Sequence, residues 1–150
     1  MKAARPDLRI EPLRGNVDTR LRKVSEGEYE GIVLAYAGLK RLGLADRATE
    51  LLEPSVCLPA VGQGALGIEC KEGNAGVEEA LARVDHRETS IVVSAERAFM
   101  KRVGGNCRMP IAAYAVREAG ELFLRAFLAE PDGTNPRRAE RRVAWPSSRE

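Results

Sequence analysis

Ile111-Ala112-Ala113-Tyr114-Ala115-Val116, the turn Glu118-Ala119-Gly120, and Glu121-Leu122-Phe123-Leu124-Arg125-Ala126-Phe127-Leu128 together decide the fold of the second half of the chain. Two runs rich in apolar, aromatic and β-branched residues, separated by a glycine-bearing turn, predict a hairpin. A third run, Arg137 to Ala144, follows Pro131-Asp132-Gly133 and extends the hairpin to three antiparallel strands. Upstream, Asp85-His86-Arg87-Glu88 has the D-x-x-E pattern of a capping box. It opens a helix whose apolar stripe is Ile91, Val92, Ala95, Phe99 and Val103, and Gly104-Gly105 ends it. This half therefore predicts a small α+β unit, a three-stranded antiparallel sheet packed on helices.

Working outward towards the N-terminus, the pattern changes. Leu8 to Leu13 alternates like a strand, and Val17, Leu21 and Val24 then take helical spacing, with Asn16 as N-cap and Gly27 as stop. Ile32 to Ala37 is a nearly continuous apolar run, expected as a strand covered on both faces, and Gly38 leads into a short helix through Leu42. The order β-α-β-α predicts an α/β portion with a parallel sheet, whose ligands bind beyond the carboxyl ends of the strands. Leu51 to Pro59 forms a connector, Ala65 to Cys70 a further strand and Val77 to Val84 a helix; glycines at 62, 64 and 67 suggest a crossing between domains.

Composition limits the function classes. With 44% apolar and 31% charged residues the chain is that of a soluble globular protein, not a disordered one. No run approaches the ~20 apolar residues that span a bilayer, and Met1 to Pro6 lacks the apolar segment of a secretory signal, so a cytoplasmic location with no membrane partner is the default expectation. Cys57, Cys70 and Cys107 are too widely spaced for a metal or redox CxxC motif, and no metal is expected. A net charge of +2 gives no global pull on nucleic acid, although Arg137, Arg138, Arg141 and Arg142 cluster near the end.

Chemistry-bearing residues are few. Arg14 and Arg20 flank the first strand-to-helix junction and Arg41 is placed in the first turn of the next helix, which suggests a rim that binds carboxylates or phosphates. The alternative, surface arginines falling near strand ends by chance, stays open on spacing alone; Arg22 and Arg47 are further examples. Cys107 follows two glycines and precedes Pro110 on a turn, where Arg108 could favour the thiolate; a small residue in a tight turn is the equal alternative. Cys57 and Cys70 lie among apolar neighbours and are expected as buried packing residues, Trp145 likewise. His86 suits local capping better than base catalysis, Glu96-Arg97 suits an exposed pair, and Gly62-Gln63-Gly64 is too short for a phosphate loop.

Read together, Leu13-Arg14-Gly15-Asn16-Val17-Asp18-Thr19-Arg20-Leu21, Ala37-Gly38-Leu39-Lys40-Arg41-Leu42, the segment Leu58 to Cys70, Ala95-Glu96-Arg97-Ala98 and Gly104-Gly105-Asn106-Cys107-Arg108-Met109-Pro110-Ile111 resemble the porphobilinogen deaminase (hydroxymethylbilane synthase) family, from about Arg5 to about Arg142. The resemblance implies a transferase of tetrapyrrole (porphyrin, heme) biosynthesis, which condenses four porphobilinogen units stepwise on a cysteine-linked dipyrromethane with release of ammonia and hydroxymethylbilane. It implies that Cys107 carries the dipyrromethane cofactor by a thioether. It further implies that Arg14 and Arg20 hold cofactor and substrate carboxylates, that Arg41 holds substrate carboxylates, and that Gln63 lies near the cleft. The implied fold is a periplasmic-binding-protein-like portion over residues 1–60, a segment returning to the first domain over 61–85, and a truncated C-terminal α+β domain over 86–150.

The family's catalytic aspartate, a lysine beside it and a paired-arginine motif precede the matched region, so no residue here takes those roles. The resemblance therefore implies a fragment that is inactive in isolation, with porphobilinogen, the growing polypyrrole and a separate N-terminal portion of the same enzyme as partners; the full-length family is usually monomeric. A noncatalytic polycarboxylate-binding module is the alternative function. A nucleic-acid binder ranks below both, because the basic cluster lies on a predicted strand with no stacking aromatics interleaved.

Overall fold

A computed structural model describes residues 5–105 and 109–146. The chain divides into two compact units, Met1–Val56 and Cys57–Glu150.

In the first unit, helix α1 (Val17–Ser25) starts where Asn16 accepts the Thr19 N–H at 2.8 Å, satisfying a donor the helix itself cannot. It stops at Gly27, which takes φ +79°. There the Gly27 N–H reaches the Val24 carbonyl at 3.0 Å and the Glu28 N–H the Lys23 carbonyl at 3.0 Å, the paired bonds of a Schellman closure. Helix α2 (Tyr36–Arg41) ends the same way, with Gly43 at φ +70° and Leu44 N–H bonded to the Leu39 carbonyl at 2.9 Å. A single 3₁₀ turn, Ala45–Arg47, follows.

The parallel strands expected in this unit do not form ladders. Among the described residues the only sheet is the C-terminal one; Leu8 to Leu13 and Ile32 to Ala35 lie outside regular structure, and Tyr36 already begins α2. A strand exists only through a paired neighbour, and none runs beside these segments among the described residues. Residue by residue, Ile32 and Leu34 are half-buried while Val33 and Ala35 are exposed, so the extended, two-sided habit of the run survives without its ladder.

In the second unit, Ala65 to Cys70 is likewise unpaired, and it leaves Leu66 74% and Ile68 64% exposed. Helix α3 (Ala75–Ala82) is capped by Asn74, and helix α4 (Arg87–Arg102) begins one residue later than the D-x-x-E pattern predicts. The cap is His86, whose Nδ1 accepts the Thr89 N–H at 3.3 Å, while Asp85 accepts instead from the Ser90 hydroxyl at 2.7 Å. The imidazole therefore has the local capping role expected of it.

Strands β1 (Ile111–Glu118), β2 (Glu121–Leu128) and β3 (Arg137–Ala144) form an antiparallel sheet in that order. The first turn holds only Ala119 (φ 49°) and Gly120 (φ 82°), both left-handed, the twist that two-residue hairpins need. Helix α4 packs on β1 and β2, and the small Ala113 and Ala115 let it approach closely; Ile91, Phe123, Ala126 and Ala129 complete the buried set. The register sets Phe123 opposite Arg142 and Phe127 opposite Arg138. The guanidinium of Arg142 lies 3.8 Å from the Phe123 ring centroid and that of Arg138 5.4 Å from Phe127, so two members of the basic cluster shelter aromatic rings of their own sheet.

Candidate functional site

The first group of site residues gathers at the amino end of α1. Arg20, half-buried in the second helical turn, folds back so that its Nε donates to the Gly15 carbonyl at 2.8 Å. That bond uses one of five N–H donors and leaves the fork of the guanidinium available. Arg14 is exposed just before the cap. Among the described residues neither pairs with a carboxylate, whereas Arg22, on the same helix, is held by Glu26 at 2.8 Å. The difference separates free forks from a surface ion pair, which spacing could not do.

Arg41 is placed differently from expectation. It is the last residue of α2, not a first-turn residue, because the helix starts at Tyr36 rather than after Gly38. Its cation therefore sits at the helix end that favours positive charge, exposed and without a carboxylate partner among the described residues. No hydrogen bond joins it to Arg14 or Arg20. The shallow depression of about 230 Å³ lined by Asp18, Leu21, Arg22, Ser25, Leu44 and Arg47 contains none of the three.

Cys107 and Arg108 lie outside the described residues. The two feet of their loop do not. On the incoming side α4 closes in a third Schellman motif, the Gly104 N–H on the Lys101 carbonyl at 3.2 Å and the Gly105 N–H on the Met100 carbonyl at 3.0 Å. On the outgoing side the Pro110 carbonyl accepts the Ala129 N–H at 3.1 Å. Cys70 is exposed and Cys57 half-buried, correcting the expectation that both are buried; the segment carrying Cys70 has no sheet neighbour to cover it. Trp145 is partly covered, with the Arg117 guanidinium 4.8 Å from its ring. Among the described residues no group of three or more His, Cys, Asp or Glu could hold a metal ion.

Gln63 is exposed on a tight double turn, in which its own N–H reaches the Ala60 carbonyl at 3.0 Å and the Ala65 N–H the Gly62 carbonyl at 3.1 Å. What holds the turn was missed in the sequence. Glu96, expected as half of an exposed pair with Arg97, is only 5% exposed and is the one buried charged residue among those described. Its carboxylate accepts the Gly62 N–H at 2.7 Å and the Ala115 N–H at 2.8 Å. Burial pushes its pKa above the usual carboxylate range, and the two backbone donors oppose but do not cancel that shift. The signal was present: position 96 is four residues after Val92 and three before Phe99, on the apolar stripe of α4.

Residues 1–79 match the family model described as porphobilinogen deaminase, dipyromethane cofactor binding domain, and residues 90–149 match that of the porphobilinogen deaminase C-terminal domain. The chain belongs to the porphobilinogen deaminase family. A porphobilinogen deaminase of Sorangium cellulosum is 62% identical over 148 residues, covering 99% of this chain and 49% of that protein. The chain thus spans about half the length of that relative. The boundary between the two family models separates Arg14, Arg20, Arg41 and Gln63 from Cys107. Porphobilinogen deaminases are transferases of tetrapyrrole biosynthesis, and no helix among the described residues is long and apolar enough to cross a membrane.

Proposed function

We propose that the chain contributes the cofactor cysteine and the carboxylate-binding arginines of a hydroxymethylbilane-forming transferase, to a site completed by an N-terminal portion of the enzyme. The observation that carries this is 62% identity sustained over 99% of the chain. The free forks at Arg14 and Arg20 support it, because each pyrrole of the growing chain carries an acetate and a propionate, and guanidinium forks bind carboxylates in bidentate fashion. When bound, the dipyrromethane supplies the free α-carbon to which porphobilinogen is joined with loss of ammonia.

In this proposal Cys107 forms the thioether, Arg14 and Arg20 hold cofactor and substrate carboxylates, Arg41 holds those of the substrate, and Gln63 borders the cleft. Residues 1–60 belong to the central α/β domain, where Leu8–Leu13 and Ile32–Ala35 pair once complementary strands are supplied. Residues 61–85 return to the first domain, and 86–150 form the C-terminal domain. The whole enzyme is a cytoplasmic monomer in function. A second possibility, a noncatalytic module that captures polycarboxylates, is favoured by the same unpaired forks, which need no partner portion to bind an anion.

Incubating the chain with a separately produced N-terminal half of a family member and porphobilinogen separates the two. Hydroxymethylbilane formation, and a dipyrromethane-sized mass increment that maps to Cys107 and disappears in Cys107→Ser, are the expected results, since a hydroxyl is a poor nucleophile at neutral pH. Binding of a dipyrrole polycarboxylate without mass increment or turnover would overturn the transferase in favour of the module.

A further inference from the structure

We propose that Glu96 is a positioning residue, whose buried carboxylate latches the Gly62-Gln63-Gly64 turn onto the C-terminal helix and sheet and so fixes where Gln63 is presented. The functional weight of Gln63 rests on the proposed role above; the latch itself rests only on geometry. The carboxylate oxygens are divided between two elements, Oε2 taking the Gly62 N–H at 2.7 Å and Oε1 the Ala115 N–H at 2.8 Å. Ala115 is on β1, whose other edge pairs with β2, so this N–H faces away from the sheet and has no strand to meet. Gly62 is 34 positions from Glu96 in sequence, and its N–H would otherwise be a half-buried donor at the head of a turn. One side chain thereby satisfies two backbone donors that regular structure leaves over.

The choice of residue argues for a task. A side chain on the apolar stripe of α4 contributes most to stability when it is apolar, and a carboxylate there pays desolvation with no cation paired to it among the described residues. Only an acceptor with two oxygens on one flexible stem spans both donors, and glutamate is that acceptor. The turn it holds is shaped for presentation. Gly62 takes φ +70°, an added Cβ there would meet Val93 Cγ1 at 3.8 Å, and the overlapping bonds of Gln63 and Ala65 leave the Gln63 side chain exposed on a fixed backbone. Freed from Glu96, the turn would keep only its internal bonds, and Gln63 would sample many directions.

Backbone amide hydrogen exchange on the isotopically labelled chain tests this without substrate. In Glu96→Ala, the Gly62, Gln63 and Ala65 amides are expected to exchange roughly tenfold faster or more, together with Ala115, while Ala126 within the sheet stays protected. Glu96→Gln has one acceptor oxygen, so it should rescue one of the pair Gly62 and Ala115 and expose the other. A residue that merely fills the core would loosen Ala115 and the helix and leave the turn amides unchanged, and that result would overturn the proposal. Should Glu96→Ala not fold, the Gln variant decides: equal protection of Gly62 and Ala115 at natural levels would sink the latch. Because exchange is read without partner or porphobilinogen, failure of the transferase proposal leaves this outcome intact.

Discussion

At the scale of single residues, the informative positions are those where physical cost and sequence pattern disagree. Glu96 is the clearest: its carboxylate is buried against the preference of its charge, and its pKa is raised because desolvation outweighs the two N–H bonds it accepts. Protonated Glu96 is therefore favoured in the folded chain relative to the unfolded one. This contribution to stability is fully present below the ordinary glutamate value of 4.5 and is lost as pH rises through the raised folded value. Glutamine has no such titration. Urea unfolding of the natural chain and of Glu96→Gln over a pH series should show the difference between them moving in glutamine's favour from 4.5 upward and levelling above the folded pKa. A difference independent of pH would mean that the carboxylate titrates normally. The arginines illustrate the opposite situation: sequence could nominate Arg14 and Arg20, but only the structure shows that Glu26 engages Arg22 and that those two have no carboxylate partner among the described residues.

At the scale of elements, three helices share one ending, with a left-handed glycine at position 27, 43 or 104 and the same pair of backbone bonds behind it. The adjacent glycines after α4 do different jobs. Gly104 needs its φ of +66° and has no atom within 4 Å of an added Cβ, so Gly104→Ala costs only backbone strain, about 1 kcal/mol. Gly105 has ordinary φ but no room, since an added Cβ would stand 2.3 Å from Ile111 Cδ1 and 3.4 Å from Met100 Cγ. Gly105→Ala should therefore cost about 1–3 kcal/mol through overpacking. Ile111→Val, which removes Cδ1, should recover most of that loss and none of the Gly104→Ala loss. Denaturant titration of the single and double variants reads the coupling, and equal effects of Ile111→Val on both alanine variants would refute the division of labour.

The same scale shows what sequence can carry. Local chemistry was legible: Asn16 as a cap, Gly27 as a stop, and three strands whose turns are marked by Gly120 and Gly133. These features depend on residues near in sequence. The cap of α4 slipped by one residue because Asp85 and His86 both carry an acceptor, and the pattern cannot tell which of them takes the Thr89 N–H. The burial of Glu96 was legible in its place on the apolar stripe, but its partners were not, since they lie 34 and 19 positions away and only the tertiary fold brings them together.

At the scale of the whole molecule, the hydrophobic runs have the chemistry of strands, but pairing is a property of neighbours. Leu66 and Ile68, on a segment expected to lie in a sheet, stand 74% and 64% exposed, and Val84 is 68% exposed after α3. Exposed apolar surface on an unpaired extended segment, as at Leu66 and Ile68, marks a contact site or an aggregation liability. Its cost falls on solubility rather than on the stability of the C-terminal sheet, because neither residue belongs to the set buried beneath α4. Leu66→Ser combined with Ile68→Ser should thus reduce binding of an apolar dye and raise the concentration at which the chain self-associates, with the unfolding midpoint of the sheet unchanged within about 0.5 kcal/mol. If the two leucine and isoleucine side chains instead mate with strands of a complementary portion, the same double variant should lower hydroxymethylbilane formation in the reconstituted mixture. Loss of sheet stability in the double variant would show that the segment packs on the C-terminal unit, and the surface assigned to a partner would then be part of this chain's own core.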